Sequence, residues 1–238
     1  MKNKIQLLIQ SKGGVGKSFL TYLISLKHEN DETTYFADCD ASVKTTTHQL
    51  KFLHGREPNR AGSLNLLDNR KMLDRQLLFE NLQEISELNR ANTFIDFGAS
   101  ESEQLPALIS MDYTIHEFKE IEKELDVEII FNIVIAGGGA YNASISYMQI
   151  MANIIHNQFK INLYLNEFTF QNNKELIEEV VVYSKDKKNN INAIKFFGDF
   201  DLTTSPHKKI LSYIAQGRGM EAYKYIELIK IKKEINKL

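Results

Sequence analysis

The sequence is short of several residue types, and each shortage excludes something. Its 238 residues include one cysteine, Cys39. An internal disulfide is therefore impossible, and so is a centre built from several thiolates of one chain. Both facts suit a reducing, cytoplasmic location. Only three prolines occur (Pro58, Pro106 and Pro206), and no stretch is rich in glycine, serine or proline. With no such linker, the expectation is a single domain over 1–238. No apolar run reaches the roughly 18 residues of a spanning helix. The opening Met1-Lys-Asn-Lys-Ile-Gln is too polar for a signal peptide. Stable membrane insertion is not expected. Excess charge of one sign is missing too: 29 Lys and Arg against 31 Asp and Glu give a formal net charge of -2. That excludes a uniformly basic surface but allows a local basic patch. What remains is 43% apolar and 25% charged, an ordinary globular composition in a chain long enough for a sizeable core.

The pattern along the chain alternates. Strands are expected at 4–10, 33–38, 92–97, 112–118, 127–136, 160–166 and 193–197. Helices are expected at 17–28, 64–90, 101–110, 142–158, 172–184, 206–217 and 219–235. In 64–90 the candidates for the buried face are Leu67, Leu73, Leu77, Leu78, Leu82, Ile85 and Leu88. Strand–helix alternation predicts an α/β fold: a doubly wound, mostly parallel sheet with helices on both faces.

Between the first strand and first helix lies Gln10-Ser-Lys-Gly-Gly-Val-Gly-Lys-Ser18. Strand, glycine loop and helix make the setting of a phosphate cradle. Gly13, Gly14 and Gly16 let the backbone curl and turn its N–H groups inward, with Val15 between them. The following helix adds its partial positive charge. Lys17 would reach the β- and γ-phosphates, and Ser18 would ligand Mg²⁺. The pattern G-x-x-x-x-G-K-[ST] fails at its first glycine, where Ser11 stands. The loop also carries a second lysine, Lys12, which the cradle itself does not require.

The heptapeptide Lys12-Gly-Gly-Val-Gly-Lys-Ser18 resembles the deviant phosphate loop of the ParA/MinD ATPases. The resemblance implies a P-loop NTPase fold of that type, ATP and Mg²⁺ as cofactors, and weak Mg-dependent hydrolysis. It also implies an ATP-dependent homodimer in which Lys12 crosses to the partner's phosphates; the alternative for Lys12 is a solvated loop lysine. Further stations match. In Thr33-Thr-Tyr-Phe-Ala-Asp-Cys-Asp40, Asp38 and Asp40 resemble the family's first-switch pair. By resemblance Asp40 would position the attacking water and Asp38 would support the Mg²⁺ shell. In 92–100, Asp96 resembles the carboxylate that holds Mg²⁺ through a water, and the Gly98 N–H would sense the γ-phosphate. Relatives have a proline near this glycine; here Ala99 and Ser100 follow. Asn166, closing 161–166, resembles the adenine-reading position, since its amide offers both a donor and an acceptor; the alternative is a capping asparagine. Phe19 follows Ser18 where relatives carry a hydroxyl. The resemblance covers nearly the whole chain and is most specific at 11–18.

Branches of the family separate on few residues. Cys39 alone cannot build the subunit-bridging cluster of nitrogenase-type iron proteins. Metabolic ligases of related fold generally lack a lysine at the Lys12 position. Division-site relatives end in an amphipathic membrane helix. In 219–235, however, Ile226 and Ile229 lie on one side and Leu228, Ile231 and Ile235 on another, so the helix is expected to pack on the core. Partition relatives bind DNA non-specifically through scattered cations, here Lys185, Lys187, Lys188, Lys208, Lys209 and Arg218. The expectation is plasmid-type DNA partition or positioning, with a stimulating adaptor protein as partner. A conjugation or plasmid-stability system is the alternative.

Overall fold

The protein was analysed as a computed structural model, which describes residues 2–40, 44–112 and 114–238. Its first half runs β1 (Asn3–Ile9), α1 (Lys17–Lys27), β2 (Thr34–Asp38), α2 (Thr45–Gln49), β3 (Ala61–Ser63), α3 (Arg75–Glu87), β4 (Asn92–Asp96) and α4 (Ala99–Ala107). The second half runs α5 (Ile115–Glu124), β5 (Val127–Ala136), α6 (Tyr141–Ile155), β6 (Lys160–Asn166), α7 (Glu175–Lys185), β7 (Ile191–Phe197), α8 (Ser205–Ala215) and α9 (Tyr225–Ile235). The strands form one sheet in the order β3-β2-β4-β1-β5-β6-β7, and every pairing is parallel. The expected α/β class is the observed one.

Parallel strands need crossovers, and the crossover helices cover both faces. Alternate residues of β1 point to opposite faces: Leu7 joins one core cluster and Leu8 the other. The Leu7 side is closed by Leu82 of α3, Phe118 of α5 and Met151 of α6. The Leu8 side is closed by Leu23 of α1, Ile210 of α8 and Ile231 of α9. This two-sided burial is why β5 reads as Val-Glu-Ile-Ile-Phe-Asn-Ile-Val-Ile-Ala, nearly without polar residues.

Of its two polar residues, Glu128 pairs with Lys160, and the fully buried Asn132 belongs to a ladder of amides on the Leu8 face. Asn192 Nδ2 donates to Asn162 Oδ1 (2.8 Å), and Asn162 Nδ2 donates to Asn132 Oδ1 (2.9 Å). Asn132 Nδ2 then donates to Gln6 Oε1, and Gln6 Nε2 to Asn92 Oδ1, both at 3.5 Å. Five strands are thus joined by side chains as well as by backbone. A one-residue slip of any strand would turn its amide to the other face. Asn132→Leu keeps the volume but leaves the Asn162 donor buried without a partner. It is expected to cost about 1–3 kcal/mol, read as a lower urea midpoint at unchanged m-value.

Three expected elements change. The strand expected at 112–118 is replaced by helix α5, which opens on a capping box. The Glu117 N–H donates to Thr114 Oγ1 (3.3 Å), and the Thr114 N–H donates to Glu117 Oε2 (2.7 Å). The helix expected over 64–90 shrinks to α3, capped by Asp74. Leu67 and Leu73 instead bridge antiparallel across a turn. The last helix starts at Tyr225, not at 219, and packs as expected: Ile231 is buried while Ile226 and Ile229 face outward. The sequence reading missed β3, because three residues, Ala-Gly-Ser, carry no apolar period.

Candidate nucleotide site

Parallel α/β sheets place sites at the carboxyl ends of their strands, and the glycine loop leaves the central strand β1 there. Gln10 anchors it and is fully buried. Its Nε2 donates to Val134 O (2.8 Å), and its backbone N–H donates to Ser102 Oγ (3.2 Å). The loop then turns through Gly14 (φ 77°) and Gly16 (φ 101°), in the left-handed region. A Cβ at Gly16 would also lie 2.7 Å from Asn166 Nδ2. Lys17 opens α1 and is only 8% exposed. Its ammonium donates to Gln10 O (2.9 Å). Burial lowers its pKa, while the charges of Asp96, Asp40 and Glu101 oppose the fall. A cavity of about 640 Å³ opens above it, lined by residues 13–19 and, from other segments, by Asp40, Thr45, Gln49, Ala99 and Ser100. A buried cation and a glycine loop at a helix N-terminus suit this cavity to phosphate groups.

The carboxylates come from neighbouring strands. Asp38 and Asp96 are register partners on β2 and β4. Asp38 is taken up locally: its Oδ1 accepts from the Asp40 N–H (3.0 Å), and its Oδ2 accepts from the Thr47 N–H and hydroxyl (2.7 Å each). In this structure Asp38 therefore ties Asp40 and Thr47 to the end of β2. Asp96 accepts from the hydroxyls of Thr46 and Ser18. Its Oδ1 is buried without a hydrogen-bond partner among the described residues. Burial pushes its pKa up to about 6, against the pull of those hydroxyls and Lys17. An orphaned carboxylate oxygen beside a serine hydroxyl fits a cation. Among the described residues no cluster of three or more His, Cys, Asp or Glu could hold a metal without help. Mg²⁺ is typically held by one or two carboxylates together with phosphate oxygens and waters. Ser18 and Asp96 are the residues that would hold it.

A second cavity of about 150 Å³ adjoins the first, lined by Phe19, Asn166, Phe168, Gly198, Phe200, Leu202 and Leu211. Phe19 belongs to both cavities. Its ring packs against Phe200 (5.5 Å between centroids) and Phe197 (6.0 Å). Phe19 is thus part of an aromatic wall. Asn166 Nδ2 donates to Val15 O (2.9 Å), which clamps the loop to the end of β6. Its Oδ1 is buried and has no hydrogen-bond partner among the described residues. Gly198 (φ 84°) passes so close that a Cβ there would lie 2.6 Å from that oxygen.

No protein-family model and no curated protein matches the chain. Solved structures do. MinD in the MinC:MinD cell division complex of Aquifex aeolicus matches at TM-score 0.54 and 12% identity, over 98% of this chain and 94% of that one. MinD alone from Aquifex aeolicus matches at TM-score 0.51 and 13% identity, over 98% and 95%. A plasmid partition protein from Borrelia burgdorferi matches at TM-score 0.44 and 13% identity, over 91% and 97%. The chain has the MinD fold.

Within that MinD-type fold the expected residues divide. The loop, Lys17, Ser18 and Asp40 line one cavity, with Asp96 buried behind Ser18, and Asn166 and Phe19 line the adjoining one. Lys12 stands apart. It is exposed, and among the described residues its side chain has no hydrogen bond or ion pair. Gly98 caps α4, wedged where a Cβ would lie 3.3 Å from Asp40 Cα and overlap the Glu101 carboxylate. Sequence reading missed four contributors: Thr46, Thr47, Ser100 and Glu101. The threonine run 45–47 and the serine–acid pair after Asp96 carried the only signal, and both look like ordinary helix starts. Among the described residues no helix is long and apolar enough to cross a membrane.

Proposed function

We propose that the chain is a Mg²⁺-dependent ATPase that switches between a monomer and an ATP-bound homodimer, acting in plasmid-type DNA partition or positioning. One observation carries the reading: of the loop's two lysines, Lys17 is buried under the phosphate cavity while Lys12 is exposed with no side-chain partner among the described residues. A second copy of the chain supplies the missing partner. Electrostatics support this. Asp96, Asp40 and Glu101 act on the single ammonium of Lys17, so added phosphates call for further positive charge. Mg²⁺ neutralises phosphate charge when bound, and Lys12 of the partner subunit would add to it. ATP then favours the dimer and hydrolysis releases it. Sedimentation velocity with and without a non-hydrolysable ATP analogue tests the switch; a monomer in both conditions refutes it.

Adenine is assigned to the aromatic cavity. One of the two Asn166 amide protons is given to Val15 O, while its Oδ1 has no hydrogen-bond partner among the described residues, and that acceptor is the one assigned to the base. An acceptor there selects the exocyclic amino group of adenine and disfavours the oxo group of hypoxanthine. ATP is expected to bind about tenfold or more tightly than ITP. Asn166→Ala should weaken ATP and bring the two affinities within about threefold of each other. Equal wild-type affinities by calorimetry would overturn the assignment.

DNA contact, where it occurs, would use Lys185, Lys187, Lys188, Lys208 and Arg218, all exposed. Lys209 is paired with Glu227 (3.1 Å) and contributes less. Such binding would weaken steeply with salt. A stimulating adaptor protein would act on the dimer. The conjugation or plasmid-stability alternative uses the same switch with another cargo. A metabolic ligase of this fold gives no account of Lys12.

A further inference from the structure

We propose that Ser100 and Glu101 form a hydrogen-bonded pair that positions the attacking water, an assignment that rests on the ATPase reading above. Ser100 lines the phosphate cavity on the wall that also carries Asp40. Its hydroxyl donates to Glu101 Oε2 at 2.7 Å. A serine hydroxyl has one proton to give. With that proton held by Glu101, Ser100 offers the cavity lone pairs only. A phosphate oxygen is itself an acceptor and gains nothing there, whereas a water gains an acceptor for one of its protons. The orientation of one hydroxyl therefore selects water over phosphate at this point of the wall.

Glu101 is built into the fold for this. It is 1% exposed and sits in the first turn of α4, where the helix dipole favours an anion. Its carboxylate occupies the space that a side chain at residue 98 would fill, so the glycine after the Asp96 strand admits it. Its Oε1 is buried with no hydrogen-bond partner among the described residues. Leaving such an oxygen open is costly in a purely structural role. Its charge reaches Lys17 and so belongs to the phosphate site electrostatically.

A water has two protons. Asp40 accepts one and Ser100 the other, which turns an oxygen lone pair toward the γ-phosphorus. The water oxygen then forms the new P–O bond, and the bond from phosphorus to the β–γ bridging oxygen breaks. ADP leaves with that electron pair, and the water's proton passes to a γ-phosphate oxygen. Ser100 keeps its proton throughout; Glu101 acts only through Ser100 and is a positioning residue.

The experiment compares wild type with Ser100→Ala, Ser100→Thr and Glu101→Gln, by phosphate release and by titration with a fluorescent ATP analogue. Ser100→Ala is expected to lose about 100-fold in kcat, the scale of a misplaced reactant, with KM and analogue affinity within about threefold of wild type. Ser100→Thr restores the hydroxyl and should recover kcat to within about fivefold. Glu101→Gln should lower kcat and leave KM unchanged, because an amide group facing Ser100 can turn its hydroxyl toward the cavity. Wild-type turnover in Ser100→Ala overturns the pair. So does a failure of Ser100→Thr to recover activity while it binds the analogue normally. Wild-type protein that binds the analogue but releases no phosphate sinks the ATPase reading, and this assignment falls with it.

Discussion

Lys17→Ala abolishes ATP binding in calorimetry: the expected loss is at least about 100-fold in Kd, or about 3 kcal/mol. The ammonium is the one cation at the floor of the 640 Å³ cavity among its described lining residues. It is already desolvated, which lowers its pKa and means that little hydration remains to be lost when phosphate arrives. In its resting position it donates to Gln10 O, inside its own loop, so it is held close to where phosphate would enter. The substitution also removes the charge that offsets Asp96, Asp40 and Glu101, leaving a site that repels anions. Thermal unfolding serves as the control, because Gln10 keeps its ties to Val134 and Ser102 without the lysine. Unchanged ATP affinity in a folded Lys17→Ala protein would mean that the glycine loop is not a phosphate cradle.

Lys12→Ala gives the opposite pattern. The side chain is exposed and makes no hydrogen bond or ion pair among the described residues, so the folded monomer should lose less than about 0.5 kcal/mol. ATP affinity is expected to stay within about threefold of wild type. What disappears is ATP-dependent dimerisation in sedimentation velocity, and hydrolysis with it. The two lysines lie five positions apart in one loop, yet the proposed switch gives them different expected effects, Lys17 within its own subunit and Lys12 in the dimer. If Lys12→Ala sediments as the wild-type dimer with a non-hydrolysable analogue, the cross-subunit role is wrong.

Those expectations started from residues that the chain displays openly. Gly14, Gly16, Lys17 and Ser18 are contiguous, and the left-handed turns at both glycines follow from a pattern that few other loops need. The buried strands were equally legible, because β1, β5 and β6 are mostly apolar, are buried on both sides and end at Gly, Asn or a loop. Legibility failed where local signals compete. Residues 112–118 hold Tyr113, Thr114 and Ile115, good strand formers, but the Thr114–Glu117 capping box started a helix instead. The run 64–90 has leucines at helical spacing throughout. Its first third nonetheless forms a turn, where Asp68 accepts from the N–H groups of Arg70 (2.8 Å) and Met72 (2.9 Å).

From its own order the sequence determined the alternating α/β plan, the glycine loop and the identity of its two lysines, since these depend on neighbours within a few residues. Only the tertiary structure decided which side chains meet. Asp38 and Asp96 lie 58 positions apart and become neighbours because β2 pairs with β4. Asn166 reaches Val15 across 151 positions because β6 ends beside the loop, and one of its two amide protons is thereby in use. Thr46 and Thr47 take up the carboxylates of Asp96 and Asp38, and Ser100 turns its proton to Glu101. The physical reason is the same each time. Hydrogen-bond direction and burial are properties of an assembled site, so a residue's chemistry stays open until packing shows which of its donors and acceptors are already in use.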